Sequence, residues 1–306
     1  MNNHLSGVVV ALLTPMQSDH TLDLEAFSRL CRFVVSRGAS AVLVAGTTGE
    51  GPLLSRDERR QLVRTAVAAV GQEAIVAAHV ADVSTAGSVQ LARDATDAGA
   101  HVLTALSPWF YAQDERSLQA HYAALAEATS LPLYLYNLPA RSGSALPASV
   151  VAWLRARYPR VAGIKDSGGD LYRFQEYQAA GGEGFISLWG PDGMALGALA
   201  HGAAGLVSGN ANFVPELIVG LYRAWRDGNF DEARRLQAQV QVIRAALKDG
   251  GDLGLFKWAT SWRGIPMGDP RPPLQAPTAA DVTVAQRALR DLGFRAVSAE
   301  TVAVSA

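Results

Sequence analysis

The chain has 306 residues, of which 49% are hydrophobic and 18% are charged, enough to bury the core of one large α/β barrel with an appendage. A net charge of -1, with no segment that clusters Lys and Arg beside aromatic residues, argues against nucleic acid or an anionic membrane as a partner. The start, MNNHLSGVVVALLTPM, lacks a basic n-region and reaches Asp19 too soon for a signal peptide or membrane span, so a cytoplasmic location is expected.

Short apolar runs alternate with amphipathic segments about every 25 to 30 residues, which is typical of repeated βα units around a parallel sheet. Between the runs, apolar residues recur at intervals of three and four, as in helices that bury one face. In chain order the sequence predicts strands at Val8 to Leu13, Ala41 to Ala45, Ala74 to His79, His101 to Leu106, Leu131 to Tyr136, Val161 to Lys165, Phe185 to Trp189 and Gly205 to Ser208. It predicts the first helices at Leu24 to Ser36, Arg56 to Val70, Ser84 to Ala98 and Ser117 to Thr129.

This order of elements predicts an α/β fold, a (β/α)₈ TIM barrel with a C-terminal helical appendage. The catalytic barrel is predicted to span residues 1–229. An open, doubly wound sheet is the competing architecture. It ranks second because no G-x-G-x-x-G follows the first strand and no switch point is visible.

The sequence changes character from residue 230 onward, because no strand pattern remains. The pattern predicts a helix that opens at Asp231 and runs through Lys248, a second around Leu255 to Trp262, and a last one over Ala279 to Leu292. Residues 230–306 are therefore predicted to form a helical domain, and it packs on the barrel because no low-complexity linker separates the two.

Lys165 is one of only three lysines, and it ends the apolar strand that begins at Val161. Polar residues at the carboxyl ends of barrel strands face the active site. A buried ammonium is costly unless it is paired or neutral, and a neutral amine is what carbonyl chemistry requires, so a catalytic lysine is favoured over a structural ion pair. The other two, Lys248 and Lys257, lie in helix-like stretches and are expected to have solvated or snorkelling side chains.

Two further features lie at strand ends that share this face of the barrel. Tyr136 ends the preceding strand, and neighbouring strands lie about 4.8 Å apart, so its hydroxyl can pass protons at Lys165 if both side chains point inward. The alternative is a rim aromatic with a satisfied hydroxyl. The turn Gly46-Thr47-Thr48-Gly49 offers backbone N–H groups and two hydroxyls as a cradle for a carboxylate, although its glycines equally suit a tight turn.

Arg141 is a second candidate partner for a carboxylate because its planar fork can grip one with two hydrogen bonds; a surface arginine is the alternative. For His79, a barrel histidine with one hydrogen bond is favoured over a base. The single cysteine, Cys31, is expected in the core. No CxxC and no His/Asp/Glu cluster has metal-ligand spacing, so neither a metal nor another cofactor is expected.

Taken together, these strand ends resemble one family, the dihydrodipicolinate synthase and N-acetylneuraminate lyase superfamily of Schiff-base-forming, class I pyruvate aldolases. The resemblance runs from the first strand through Lys257-Trp258-Ala259, and its G-T-T-G-E, Y-N-x-P and G-I-K-D-S elements occur here in that order. It implies a (β/α)₈ barrel with a C-terminal helical domain, assembled as a homotetramer of tight dimers. It also implies pyruvate or another 2-oxo acid and an aldehyde as the reacting partners.

The resemblance also assigns roles to individual residues. Lys165 matches the lysine that forms an imine with the 2-oxo acid, Tyr136 matches the tyrosine that relays protons, and Thr47 matches the threonine that links it to a second tyrosine. The substrate-binding positions are matched by Thr48 and Gly46 in the turn and by Gly190 and the backbone of Val207 in the pocket wall.

The second half of the reaction has conflicting indications. Arg141 matches the arginine with which dihydrodipicolinate synthases bind the carboxylate of the aldehyde, aspartate semialdehyde. The second relay tyrosine of those enzymes, lent across the dimer interface, aligns with Phe110, which has no proton to pass, and use of Tyr111 instead requires a rearranged loop. The Lys165 to Asp170 run and the strand end at His79 look more like aldolases of 2-keto-3-deoxy sugar acids, 4-hydroxy-2-oxoglutarate and sialic acid.

The expected function is therefore a lyase that makes or breaks a carbon–carbon bond to pyruvate, on a 2-keto-3-deoxy sugar acid or a 4-hydroxy-2-oxo acid. The first alternative is a 4-hydroxy-tetrahydrodipicolinate synthase that condenses pyruvate with aspartate semialdehyde. A barrel that binds 2-oxo acids without catalysis is the second.

Overall fold

Eight parallel strands pair in chain order in the computed structural model, and β8 pairs with β1 to close the barrel. The structure describes residues 4–297; the first three residues, and residues 298–306 at the end of the expected helical domain, lie outside the described part. The predicted (β/α)₈ barrel is confirmed. Its strands are β1 (Gly7–Ala11), β2 (Ala41–Val44), β3 (Ile75–His79), β4 (Val102–Leu106), β5 (Leu133–Asn137), β6 (Val161–Asp166), β7 (Ile186–Trp189) and β8 (Gly205–Ser208).

Helices connect the strands and cover the outside of the barrel, and the first two have the predicted bounds. The helices are α1 (Leu24–Ser36), α2 (Arg56–Val70), α3 (Thr85–Asp97), α4 (Glu115–Ala128), α5 (Pro139–Ser142), α6 (Ala148–Arg157), α7 (Leu171–Gly181), α8 (Ala195–Ala200), α9 (Pro215–Arg226), α10 (Phe230–Ala246), α11 (Leu253–Trp262) and α12 (Ala279–Asp291). None of those within residues 4–297 is long and apolar enough to cross a membrane.

Helix α1 shows how these segments form and dock. The Asp23 carboxylate accepts the Ala26 N–H at 2.9 Å and so satisfies one free donor of the first turn. Phe27, Leu30 and Cys31 are buried at intervals of three and four, which places one apolar face against the barrel. Cys31 is a free, buried cysteine as predicted, and burial raises the pKa of its thiol to about 12.

The barrel interior is closed at its amino-terminal end and open at the other. Tyr134 lies among the interior side chains, and its hydroxyl accepts the Leu5 N–H at 2.9 Å. Because side chains alternate along a strand, Tyr136 points to the same interior two residues nearer the carboxyl end of β5. The register of β5 and β6 pairs Tyr136 with Lys165, so the fold places these two side chains next to each other.

The C-terminal helices pack on the barrel, with α10 against α9 and α12 against α10 and α11. Helix α10 ends at Ala246, slightly before the predicted end at Lys248. A short 3₁₀ turn, Lys248–Gly250, then leads to α11. The division into a barrel of residues 1–229 and a helical domain of residues 230–306 stays a prediction.

The expectation that Lys257 is solvated is wrong. Its side chain is 1% exposed and its Nζ lies 2.6 Å from a carboxylate oxygen of Glu50, which follows β2. The same Nζ donates to the Asp269 carbonyl at 3.0 Å. Lys248 is half exposed, as expected, and pairs with Asp281 at 2.7 Å. Helical periodicity identified the segment that carries Lys257, but only the packed structure reveals a carboxylate opposite it.

Candidate active site

Lys165 and Tyr136 meet at the carboxyl ends of β6 and β5. Both side chains are buried, and the Lys165 Nζ lies 4.0 Å from the centre of the Tyr136 ring. Strand pairing fixes the two backbones, so this contact does not depend on a flexible loop. The sequence-based expectation that both side chains point into the same end of the barrel agrees with this geometry.

The Tyr136 hydroxyl is held by three side chains of its own chain: Thr47 after β2, Ser167 after β6, and Lys165. Burial by itself raises the pKa of Tyr136, but the nearby positive charge of Lys165 and these hydrogen bonds outweigh it, and the pKa lies below its ordinary value. A phenol that gives up its proton more easily is suited to exchange protons with the amine beside it. Ser167 lies in the G-I-K-D-S element, but its place in the sequence does not by itself indicate this contact.

Residues 46–51 form a tight turn after β2, called the threonine turn because it carries Thr47 and Thr48. The Gly51 N–H donates to the Gly46 carbonyl at 2.9 Å, and the hydroxyl of Thr14 donates to the Gly49 carbonyl at 2.6 Å. A side chain at Gly51 would meet the Ala45 carbonyl at 2.1 Å, so the turn closes this tightly only because glycine stands there.

A cavity of about 330 Å³ lies beside the threonine turn. Thr47, Thr48, His79 and Arg141 line it, which brings four of the predicted residues to one space. Lys165 and Tyr136 do not line the cavity, but Tyr136 contacts two residues that do. It hydrogen-bonds to Thr47, and its ring meets the His79 ring edge-on, with 5.7 Å between the ring centres. Apolar residues form much of the remaining wall: Leu53, Leu106, Trp109, Leu253 and Leu274.

His79 behaves as a neutral barrel histidine. Its Nδ1 lies 3.0 Å from the hydroxyl of Thr104 on the neighbouring strand. Burial, together with the positive charges of Arg59 and Lys165, lowers the pKa of His79 to about 3. An imidazole with so low a pKa is a weak base at neutral pH, which leaves Tyr136 as the better proton carrier at Lys165.

Two arginines line the cavity at different depths. Arg141, near the end of α5, is exposed, and no carboxylate of the described residues lies within ion-pair distance of it. Arg59, on α2, is buried and donates to the carbonyls of Gly51 and Ala81 at 2.6 and 2.9 Å. Arg59 therefore joins the threonine turn to the loop after β3, whereas Arg141 is available to a bound anion.

Gly190 and Val207, the remaining predicted positions, are not part of the cavity lining. Gly190 donates its N–H to the Asp166 carbonyl at 2.8 Å, and a side chain there would meet the Ser167 hydroxyl at 2.0 Å. Gly190 thus leaves room for the serine that holds Tyr136. Val207 belongs to the apolar interior of the barrel.

Phe110 and Tyr111 lie outside the cavity, in the segment after β4. Their side chains are 83% and 69% exposed, and their rings touch edge to face at 5.0 Å. Phe110 also has a positive φ of 82°, which is uncommon for a side chain of this size. Trp109 is the residue of this segment that lines the cavity. Neither Phe110 nor Tyr111 hydrogen-bonds to Tyr136 within the described chain.

Comparison with known proteins agrees with this geometry. The Dihydrodipicolinate synthetase family profile matches residues 4–291. A 4-hydroxy-tetrahydrodipicolinate synthase of Mycolicibacterium paratuberculosis is 35% identical over 269 residues, 88% of this chain and 89% of the relative. An uncharacterized DapA-like lyase of Halobacterium salinarum is 36% identical over 290 residues, 95% of each chain. The crystal structure of dihydrodipicolinate synthase from Aquifex aeolicus superposes with a TM-score of 0.91 at 27% identity, covering 95% of this chain and 99% of that one.

The match covers the barrel and the helices that follow it, well beyond half of the chain. The two relatives and the solved structure named above are synthases or lyases by name. The chain therefore belongs to the dihydrodipicolinate synthetase family and is a class I lyase of that family.

Proposed function

We propose that this protein makes or breaks a carbon–carbon bond to pyruvate through an imine on Lys165. The observation that carries the proposal is the buried contact between the Lys165 amine and Tyr136, whose hydroxyl is also bound by Thr47 and Ser167. An amine nucleophile with an acid–base group in contact is the arrangement that carbinolamine formation and dehydration require.

In the first half of the reaction, Lys165 forms the bond and Tyr136 moves the protons. The neutral Lys165 amine attacks C2 of the 2-oxo acid, and Tyr136 relays a proton from the nitrogen to the new alkoxide, which gives the carbinolamine. Tyr136 then donates its own proton to the carbinolamine hydroxyl, which leaves as water, and a protonated imine remains beside the Tyr136 phenolate. Thr48 and the amides of the threonine turn hold the carboxylate of the 2-oxo acid, since they line the cavity beside Tyr136.

In the cleavage direction, the protonated imine accepts the electron pair of the C3–C4 bond. Tyr136 takes the proton of the C4 hydroxyl, so that C4 leaves as an aldehyde and the enamine remains on Lys165. Protonation of the enamine at C3 and hydrolysis by water release pyruvate and the free amine. Condensation is the same sequence in reverse.

For the aldehyde half, we propose a 2-keto-3-deoxy sugar acid or a 4-hydroxy-2-oxo acid as the substrate. Phe110 stands where the synthases lend a second relay tyrosine, and it has no hydroxyl. The Tyr136 hydroxyl finds its partners within its own chain, in Thr47, Ser167 and Lys165. An aldolase that runs its proton transfers through Tyr136 alone is consistent with both observations.

A specific observation favours the second candidate, the condensation of pyruvate with aspartate semialdehyde. Arg141 lines the cavity without a carboxylate partner among the described residues, and its fork suits the carboxylate of the semialdehyde. The relative from Mycolicibacterium paratuberculosis is named as the synthase of that reaction.

Borohydride reduction in the presence of pyruvate tests the imine. We expect a stable adduct on Lys165 in the intact protein and none in the Lys165→Arg variant. A folded wild-type protein without an adduct would contradict every version of the proposal that uses an imine, and would leave a non-catalytic 2-oxo acid binder.

A second assay separates the two aldehyde partners. The protein is supplied with pyruvate and aspartate semialdehyde, and in parallel with 2-keto-3-deoxy sugar acids and 4-hydroxy-2-oxo acids. We expect turnover of the latter group. If the protein turned over aspartate semialdehyde faster than the sugar acids and 4-hydroxy-2-oxo acids, the synthase reaction would be established instead.

We also propose a homotetramer assembled as a dimer of dimers. The exposed pair Phe110 and Tyr111 supports this, because two adjacent aromatic rings in water are typical of a surface that a second chain covers. Sedimentation of the wild-type protein measures the assembly, and a Phe110→Ser, Tyr111→Ser double variant is expected to dissociate.

A further inference from the structure

Two residues in the left-handed region shape the threonine turn, one just before it and one within it. Ala45 has a φ of 56° and Glu50 a φ of 58°, and neither is a glycine. Residues with a Cβ persist in that region only where the surrounding structure holds them. The conformation that presents Thr47 and Thr48 to the cavity therefore needs support from outside the turn.

The support at Glu50 comes from the C-terminal helical segment. One Glu50 carboxylate oxygen lies 2.6 Å from the Nζ of Lys257 on α11, with the two side chains 0% and 1% exposed. The other accepts the Arg271 N–H at 2.7 Å. The guanidinium of Arg271 in turn binds Glu58 at the start of α2 and the Leu53 carbonyl just after the turn.

The same segment builds one wall of the cavity. Gly250, Gly251 and Leu253, between α10 and the start of α11, line the same cavity as the threonine turn, together with Pro273 and Leu274. Lys257 lies one helical turn beyond Leu253. The ion pair consequently joins the cavity wall to the turn across a sequence separation of about 200 residues.

We propose that Lys257 is a positioning residue for the 2-oxo acid: by pairing with Glu50 it holds the threonine turn in the conformation that presents Thr47 to Tyr136 and Thr48 to the substrate carboxylate. This inference rests on the proposed function. The C-terminal segment then contributes to the first half of the reaction, which is imine formation. It does not bind the aldehyde, for which Arg141 on α5 is the candidate.

A charged pair suits this task because it resists displacement. A Glu50 carboxylate that moved away would leave two uncompensated charges in a site without water contact, which is far more costly than the loss of an apolar contact. A misplacement of about 1 Å in a reacting geometry lowers rates by about a hundredfold. The exact position of the threonine turn therefore affects the reaction even where the fold as a whole stays stable.

The test compares the wild-type protein with a Glu50→Gln, Lys257→Met double variant. Both buried charges are removed together, so no unpaired charge remains, and the Gln amide oxygen still accepts the Arg271 N–H. Glu50→Gln alone is the second variant, because a buried lysine can lose its proton when its partner is neutral. Borohydride trapping of the imine is measured against pyruvate concentration in each protein, with circular dichroism to establish that it is folded.

We expect the half-saturating pyruvate concentration to rise about tenfold to a hundredfold in whichever of these variants is folded, with the KM of the aldehyde unchanged. The matched control is Lys248→Met, which removes an exposed lysine from the same segment and should trap the imine as the wild type does. A folded variant with the wild-type pyruvate dependence would overturn the inference alone, because its pair would then only stabilise the fold. Absence of an adduct in the wild type would instead overturn the proposed function, and the inference with it.

Discussion

Replacement of Tyr136 by Phe removes one hydroxyl and keeps the ring that fills the end of the barrel. That hydroxyl is the hydrogen-bonding partner of Thr47, Ser167 and Lys165, so the change takes the proton carrier away from the amine without opening a cavity. His79 cannot replace it, because its pKa of about 3 makes it a weak base. Phe110 has no hydroxyl to offer from its position.

The expected loss follows from the role assigned to the hydroxyl. General acid–base catalysis by one positioned group contributes about 10² to 10⁴ in rate. At 1.36 kcal/mol for each factor of ten, this range corresponds to about 3 to 5 kcal/mol of barrier. We expect imine formation in Tyr136→Phe to slow by that factor and still to occur, since Lys165 and the cavity remain.

Timed trapping measures this rate. Protein and pyruvate are mixed, borohydride is added at increasing delays, and mass spectrometry gives the fraction of Lys165 modified. Tyr134→Phe is the matched control, because Tyr134 lies on the same strand and faces the same interior but binds the Leu5 N–H at the closed end. It should lose about 1 kcal/mol of stability and trap at the wild-type rate. Wild-type trapping kinetics in Tyr136→Phe would refute the assignment of Tyr136 as the proton carrier.

Three other predictions follow from the charges in the structure. Lys257→Met leaves the buried carboxylate of Glu50 without its ion-pair partner and should lower the free energy of unfolding by about 3 to 5 kcal/mol. At an unfolding entropy of about 2.1 cal/mol/K per residue, this loss lowers Tm by about 5 to 8 °C in a thermal melt. Lys248→Met, at an exposed pair, should change the melting curve little. His79 has a pKa of about 3 in the fold against 6.5 ordinarily, so only the unfolded chain binds its proton between these values. Urea unfolding should therefore show stability falling as the pH drops through this window, and His79→Gln should reduce the slope. For an aldehyde that carries a carboxylate, Arg141→Ala should raise the KM about tenfold or more and leave imine trapping with pyruvate intact, as steady-state kinetics beside borohydride trapping would reveal.

The barrel was predictable because its signal is local. Each strand is a short apolar run and each helix a three-and-four pattern, and α1 and α2 have the predicted bounds. The approach of Lys165 to Tyr136 was predictable for a related reason. Both residues end successive strands, and successive strands of a parallel barrel are neighbours, so chain order already implied the contact.

Lys257 could not be placed in this way. A helical pattern shows which face of α11 is apolar, but it does not reveal what lies opposite that face. The partner, Glu50, is about 200 residues away, and its buried carboxylate becomes available to Lys257 only when the turn after β2 and the C-terminal helices pack together. A lysine at the same helical position facing water would have the same local sequence.

The sequence by itself determined the barrel, the strand-end lysine and tyrosine, and the turn that carries Thr47 and Thr48, because strand order and local periodicity are written along the chain. Only the tertiary structure decided that Ser167 binds Tyr136, that His79 is neutral, and that a buried ion pair from the C-terminal helices supports the turn. These depend on burial and on contacts between distant segments, and both arise only when the apolar faces pack and exclude water.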